Sequence, residues 1–314
     1  NLLLGFLFSA WLVGAPNSDA HIEIISESNA ELHLQYNFEN LNLHEIIING
    51  EQYIQPQLMG MVHNQIKSMP DLPSLSTSIQ IPIGKKAIFN IEVSNIEVFN
   101  KTDIPPSKGK MTRNIDPQDV DYTFNDMYKL DSNFPTKMVK IDSPLIFRGI
   151  KGNTINIVPF AYNPFQSTLT FYSTIDVHIQ FVDDRIGTAP IQSKLTNPFT
   201  QVMDRFFINS SSSRYENIED NGALVIITDD AYLTPLQPLV DWKNMRGLHT
   251  QVHTTQLIGN TPELIKTFIS EKYIEENISY VLLVGNTDQV STFWPEPTIP
   301  SDPMYGYLDG DDAY

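Results

Sequence analysis

Between residues 22 and 183, apolar and polar positions alternate in short runs that Pro, Asn and Gly interrupt. Ile175, Val177, Ile179 and Phe181 fall on one side of such a run, with Asp176, His178 and Gln180 on the other. That period of two predicts a half-buried strand with His178 facing solvent. Residues 79–83, 87–93, 154–158 and 169–172 repeat the pattern, and Asn163-Pro164 marks a turn between the last two. Many short strands with turn signals and almost no helical periodicity predict an antiparallel β-sandwich.

Beyond Gly222 the period changes. Residues 223–227 form a continuous apolar, β-branched run, the pattern of a strand covered on both faces. A helix signature follows, with Thr234 and Gln237 spaced as a capping box, Pro235 at the first helical position, Leu236, Leu239 and Val240 inward, and Gly247 as the stop. A second strand is predicted at residues 250–254. A second helix opens at Thr261-Pro262-Glu263 with Leu264, Ile265, Phe268 and Ile269 on one face, and a third strand covers residues 280–284. Strand, helix, strand, helix, strand in this order predicts a parallel sheet with right-handed crossovers. Ligands of such sheets gather at the carboxyl ends of the strands, here near Asp229, Asp230 and Asn286. Asp229-Asp230 reads either as a pair of site carboxylates or as a helix cap left in solvent.

The two textures imply four segments: a leader over residues 1–20, a β-sandwich over 21–190, a connector over 191–221 and an α/β segment over 222–314. The class is therefore α+β, multidomain. The connector carries the run Ser210 to Ser213, then Arg214-Tyr215 and a polar stretch, with little apolar surface to hold it down. It reads as a flexible linker, or more sharply as a cleavage site with Arg214 before the cut bond.

Composition sharpens this. The run from Leu2 to Gly14 is apolar but too short for a bilayer, and Ser18, Asp19 and Ala20 follow it as the small-x-small pattern of a secretory cleavage site, with the cut after Ala20 and the leader's first residues missing. No later run reaches the ~20 apolar residues of a membrane span. The product is thus expected outside the cytoplasm, secreted or on the cell surface. With no cysteine anywhere, disulfides cannot staple it, and an apolar core must suffice. Net charge is −17, and residues 215–314 hold 16 Asp or Glu against 4 Lys or Arg, a net of −12. Such a surface repels phosphate backbones, so nucleic acid is not an expected partner, whereas acidic clusters favour cations such as calcium.

No complete catalytic set is present. The sequence lacks G-x-S-x-G, G-x-x-x-x-G-K, G-x-G-x-x-G and H-E-x-x-H. His249 and His253 share a strand face but stand on the order of 13 Å apart, too far to ligate one metal, and read as a surface pair.

Several runs nevertheless resemble one family in register. Leu239-Val240-Asp241-Trp242-Lys243-Asn244-Met245-Arg246-Gly247-Leu248, Tyr280-Val281-Leu282-Leu283-Val284-Gly285, and Ser301-Asp302 with Tyr305-Gly306 resemble the start of the gingipain-type cysteine peptidases, peptidase family C25. Upstream, Pro70-Asp71-Leu72-Pro73, Pro106-Ser107-Lys108-Gly109 and Pro159-Phe160-Ala161-Tyr162-Asn163-Pro164 resemble that family's propeptide. The resemblance implies a β-sandwich prodomain that packs on the catalytic domain and keeps it latent until cleavage after a basic residue, here at Arg214-Tyr215. It implies a caspase-like α/β domain in which a Cys/His dyad cleaves peptide bonds of protein or peptide substrates. Both dyad residues would lie beyond Tyr314, so no catalytic residue is expected in this chain.

The resemblance also implies a structural calcium site, mapped onto Asn286, the carbonyl of Asp309, the carboxylate of Asp312 and the carbonyl of Tyr314. Asn286 departs from the family's acid, which lowers the ligand charge; the other reading is a solvated acidic turn. Two further functions stay open: a surface-binding pseudo-peptidase without the Cys, and a sortase-like member of the family acting in the export machinery.

Overall fold

A computed structural model of the chain describes residues 18–111, 113–184, 195–210, 217–218, 221–296 and 299–308. It divides into two compact units: residues 1–144 with 153–185, and residues 145–152 with 186–314.

The first unit is built from β1 (Ala20–Glu27), β2 (Glu31–Phe38), β3 (Asn42–Ile48), β4 (Glu51–Gln57), β5 (Val62–His63), β6 (Pro73–Gln80), β7 (Lys85–Asn100), β8 (Val139–Ile141), most of β10 (Ile150–Ile157), β11 (Phe160–Asn163) and β12 (Thr168–Asp183), while β9 (Leu145–Phe147) and the first residues of β10 belong to the second. One sheet runs β1-β2-β12-β11, with the long β7 also paired to β12; the other runs β5-β6-β10-β8, with β9 on β10; β3 and β4 form a separate hairpin. The neighbours for which pairing is resolved in these two sheets are antiparallel.

Alternation decides which face is buried. In β2, Leu32, Leu34, Tyr36 and Phe38 are buried, and in β12 so are Ile175, Val177, Ile179 and Phe181, the residues that the sequence pattern places inside. Ile79, Ile81, Ile155 and Ile157 are buried in or beside the second sheet. Each such side chain contributes roughly 1.5–3 kcal/mol when it leaves water. The predicted antiparallel sandwich is what forms. His178, expected in solvent, is half-covered because His33 on the adjacent strand stacks on it, with centroids 4.0 Å apart.

The N-terminal edge departs from expectation. Ala20 is buried and opens β1, opposite Phe38. The Asp19 carboxylate accepts from Met59 N at 2.7 Å and from Asn40 Nδ2 at 3.1 Å, and Asp19 N donates to Met59 O at 2.9 Å. Residues 18–20 are thus part of the sandwich, and a cut after Ala20 would remove three of its hydrogen-bonding contacts. The rest of the predicted leader, residues 1–17, lies outside the described residues.

The second unit contains β13 (Leu195–Thr196), α1 (Asn197–Phe206), β14 (Asn217–Ile218), β15 (Ala223–Thr228), α2 (Leu233–Met245), β16 (His249–Thr254), the short α3 (Thr255–Ile258), α4 (Pro262–Glu276), β17 (Tyr280–Val284), β18 (Phe293–Glu296) and β19 (Ile299–Ser301). β15, β16 and β17 make a parallel sheet in the order β16-β15-β17. β15 is central and almost wholly buried: Val225 and Ile227 pack with Ile265, Ile269 and Tyr273 of α4, while Leu224 and Ile226 pack with Leu236 and Val240 of α2. An apolar run without alternation is what such two-sided cover requires.

Helix boundaries follow the capping chemistry, once correctly and once not. Thr261 caps α4, its hydroxyl accepting from Leu264 N at 3.3 Å, with Pro262 at the first position. For α2, Thr234 is not the cap: the helix starts at Leu233, after a 3-10 turn that Asp229 caps. Leu264, expected on the buried face of α4, is 49% exposed, and Tyr273 takes its place one turn beyond Ile269.

The connector expected over residues 191–221 is not bare linker. Leu195, Met203 and Phe207 bury an apolar stripe against Ile150, with Phe147 and Phe199 around it, and β13 pairs in parallel with β14. Asn-Pro starts the helix at α1, and that stripe, not its polar surroundings, sets its fate.

Candidate functional site

The carboxyl ends of the three parallel strands meet, as expected, around Asp229 and Asn286. Thr228, the last residue of β15, is buried and donates its hydroxyl to Val284 O at 2.8 Å, tying β15 to the end of β17. The Asp229 carboxylate accepts from Ala231 N at 2.9 Å through one oxygen and from Gln256 Nε2 at 2.9 Å through the other. These bonds, the backbone one foremost, hold its carboxyl below its ordinary pKa. Asp229 is therefore an ionised cap on the turn into α2, its proton-accepting oxygens already engaged, and not half of a carboxylate pair with Asp230.

After β17 the chain turns at Gly285, whose φ of +145° and close approach to Gln289 suit only a residue without a side chain. Asn286 Oδ1 accepts from Asp288 N at 2.9 Å and Gln289 N at 3.2 Å, closing an Asx turn, and Gln289 Oε1 accepts from Asn286 N at 3.0 Å. Gln289 reaches back to the Tyr232 hydroxyl at 3.0 Å, and its carbonyl accepts from Thr255 Oγ1 at 3.0 Å. Tyr232, Thr255, Gln256 and Gln289 thus complete a polar rim that the sequence pattern did not single out. Their only signal was position, one to five residues past a strand end.

Of the residues mapped to a cation, Asn286 alone falls within the described residues; Asp309, Asp312 and Tyr314 lie outside them, as do Arg214 and Tyr215. The amide oxygen of Asn286 already accepts two backbone N–H bonds, and an amide, unlike a carboxylate, has no second oxygen to offer. To ligate a cation, that oxygen would have to give up its place in the Asx turn. Among the described residues no group of three or more His, Cys, Asp or Glu side chains is arranged to hold a metal.

His249 and His253 remain apart, bridged by a side chain between them. Gln251 Nε2 lies 3.3 Å from His249 Nε2, and Gln251 Oε1 lies 3.1 Å from His253 Nε2; Gln251 also donates to Glu276 at 2.7 Å. Desolvation, and then the Lys272 ammonium, hold the His253 imidazole below its ordinary pKa. This is a polar ladder on a strand surface.

Comparison with known proteins decides what the two units are. The model Propeptide_C25 matches residues 15–217, and the model Peptidase family C25 matches residues 217–314. The chain belongs to peptidase family C25. It carries the family's propeptide and the first part of its peptidase domain. Gingipain R1 of Porphyromonas gingivalis is 31% identical over 290 residues, which cover 90% of this chain and 29% of that protein. Gingipain R2 of the same organism is 29% identical over 304 residues, covering 93% of this chain and 41% of that protein. The chain therefore spans less than half the length of these curated C25 relatives. The solved "Complex of Porphyromonas gingivalis RgpB pro- and mature domains" shares the fold at a TM-score of 0.52 and 23% identity, covering 62% of this chain and 98% of that one. The β-sandwich thus lies in the residues matched to the C25 propeptide, and the parallel sheet in those matched to the C25 peptidase. Among the described residues no helix is long and apolar enough to cross a membrane.

Proposed function

We propose that this chain is the N-terminal portion of a secreted cysteine endopeptidase zymogen, latent until cut after Arg214. One observation carries this reading: the propeptide match ends and the peptidase match begins at residue 217, just past Arg214-Tyr215. A basic residue at that junction, in a polar segment, suits a processing protease or the enzyme acting on itself. With no cysteine in these residues, the thiolate that attacks the peptide carbonyl, and the His that assists it, belong to sequence past Tyr314. The part described here supplies latency and the first layer of the catalytic sheet, and its substrates are proteins or peptides cleaved outside the cytoplasm.

The test is the full-length gene product, purified as secreted. N-terminal sequencing of its mature form is expected to read from Tyr215, Arg214→Ala to block that processing, and hydrolysis of peptides to require a thiol. A mature N-terminus elsewhere, or hydrolysis indifferent to thiol reagents, overturns the reading.

A calcium ion is proposed at the acidic turn, with Asp309 and Tyr314 offering carbonyls and Asp312 its carboxylate. Asn286 is the weakest member, since its oxygen serves the Asx turn; Asn286→Asp would add a second oxygen and charge. Calcium is then expected to raise the melting temperature of the Asn286→Asp chain more than that of the wild type. Equal or absent shifts sink the assignment of this position.

A further inference from the structure

Phe147 and Ile150 pair across a two-residue turn made of Arg148 and Gly149, with φ of 50° and 72°. Asn-Gly is the favoured pair for a turn with both residues left-handed, and arginine is an uncommon choice that costs backbone energy. Its side chain accounts for the choice. Arg148 Nη1 donates to Ile278 O at 3.0 Å, and Nη2 lies 3.4 Å from both Asn277 O and Asn277 Oδ1. Asn277 is the left-handed C-cap of α4, so the guanidinium closes the carbonyl end of that helix, where a cation is favoured. It also lies over the ring of Phe199 at 4.3 Å and that of Tyr273 at 5.3 Å.

These partners come from different parts of the family match. Arg148 and Phe199 lie in the propeptide match, whereas Tyr273, Asn277 and Ile278 lie in the peptidase match. All of them belong to the second compact unit, into which residues 145–152 reach as a hairpin. The hairpin body is held by Phe147 and Ile150 in the cluster with Leu195, Met203 and Phe207, itself propeptide sequence. Of the polar bonds from this hairpin, those of Arg148 cross to peptidase residues. They do so at a part-buried helix end with aromatic cover.

We propose that Arg148 is an anchor, beside the Thr196–Ser279 and Phe199–Tyr280 contacts, by which the propeptide stays on the peptidase segment once the connection between residues 208 and 222 is cut. It is a positioning residue, with no part in peptide hydrolysis. The inference rests on the zymogen reading for its biological meaning, but its test does not, because the cut is made with a foreign protease.

Residues 211–216 are replaced by a site for a sequence-specific protease, and the 314-residue chain is cut and passed through gel filtration at decreasing concentration. The two wild-type pieces are expected to co-elute. Arg148→Ala is expected to weaken their association by about tenfold or more, a loss of two or three hydrogen bonds and the ring contacts. Arg148→Lys, which keeps the charge but not the planar fork, is expected to fall close to Arg148→Ala. Far-UV circular dichroism of the uncut variants checks that each folds, and hydrogen exchange at residues 274–278 of the uncut chain is expected to quicken in both. Wild-type pieces that separate on cutting, or Arg148→Ala pieces that associate as tightly as wild type, overturn the proposal. So does an unchanged exchange rate at the end of α4.

Discussion

On the outer face of the first sheet, the imidazoles of His33 and His178 stack with centroids 4.0 Å apart, while Asp176 Oδ1 lies 2.8 Å from His33 Nε2. Gln35 Nε2 donates to the same oxygen at 3.1 Å. The three strands β1, β2 and β12 present their polar residues here, so the face is held by cross-strand bonds where the other is held by burial. Asp176→Ala leaves two donors without their acceptor and is expected to cost about 1–2 kcal/mol in urea unfolding. His178→Ala, which loses only a ring contact, is expected to cost about 0.5 kcal/mol. Equal costs for the two would show that the carboxylate is not the organising group.

At the other end of β1, Asp19 ties the strand to the turn at Met59. A chain beginning at residue 18 is expected to melt a few degrees above one beginning at residue 21, and Asp19→Ala in the longer chain to reproduce most of the difference. Identical melting curves for the chains beginning at 18 and 21 would put Asp19 outside the cooperative unit.

Acidification should weaken the second unit through His253. Its folded pKa is held below the ordinary 6.5 by burial first and Lys272 second. The native state thus takes up its proton later than the unfolded chain does. Stability is full above pH about 6.5 and is lost as pH falls from there toward the folded value. Glu276 is also depressed, first by its bond from Lys272, but its contribution is lost only below its ordinary 4.5, so the two windows are distinct. Melting temperatures between pH 7.5 and 5 are expected to fall for the wild type and to flatten in His253→Gln. A His253→Gln chain with the wild-type slope in that interval removes His253 as the cause.

Helix α4 separates two kinds of stabilisation. Thr261→Ala, which removes one capping bond, is expected to cost about 1 kcal/mol. Ile265→Ala, which opens a cavity beneath β15, is expected to cost about 2–5 kcal/mol. Denaturant midpoints read both. A cap variant as damaging as the core variant would mean that the helix is held by its end and not by its face.

Local pattern carried a large part of this fold. The run at residues 223–227 became a strand covered on both sides, residues 280–284 became β17, and the alternation at Ile175, Val177, Ile179 and Phe181 chose the buried face of β12. Where local chemistry misled, a competing cap stood nearby: Asp229 serves the turn before α2, so the Thr234 and Gln237 spacing goes unused. The polar character of residues 210–221 hid the apolar stripe of α1 just before it, because a stripe of three residues over thirteen positions is diluted by its neighbours.

By itself the sequence determined the order of the two units, the β class of the first, the parallel sheet of the second and the family to which both belong, because periods of two and of 3.6 and short motifs are properties of neighbouring residues. The tertiary structure alone decided that Asp229 caps a turn, that Asn286 spends its oxygen on two backbone amides, and that residues 145–152 belong with the second unit. Arg148 meets Ile278 across 130 positions of chain, and no local period records a contact made at that distance.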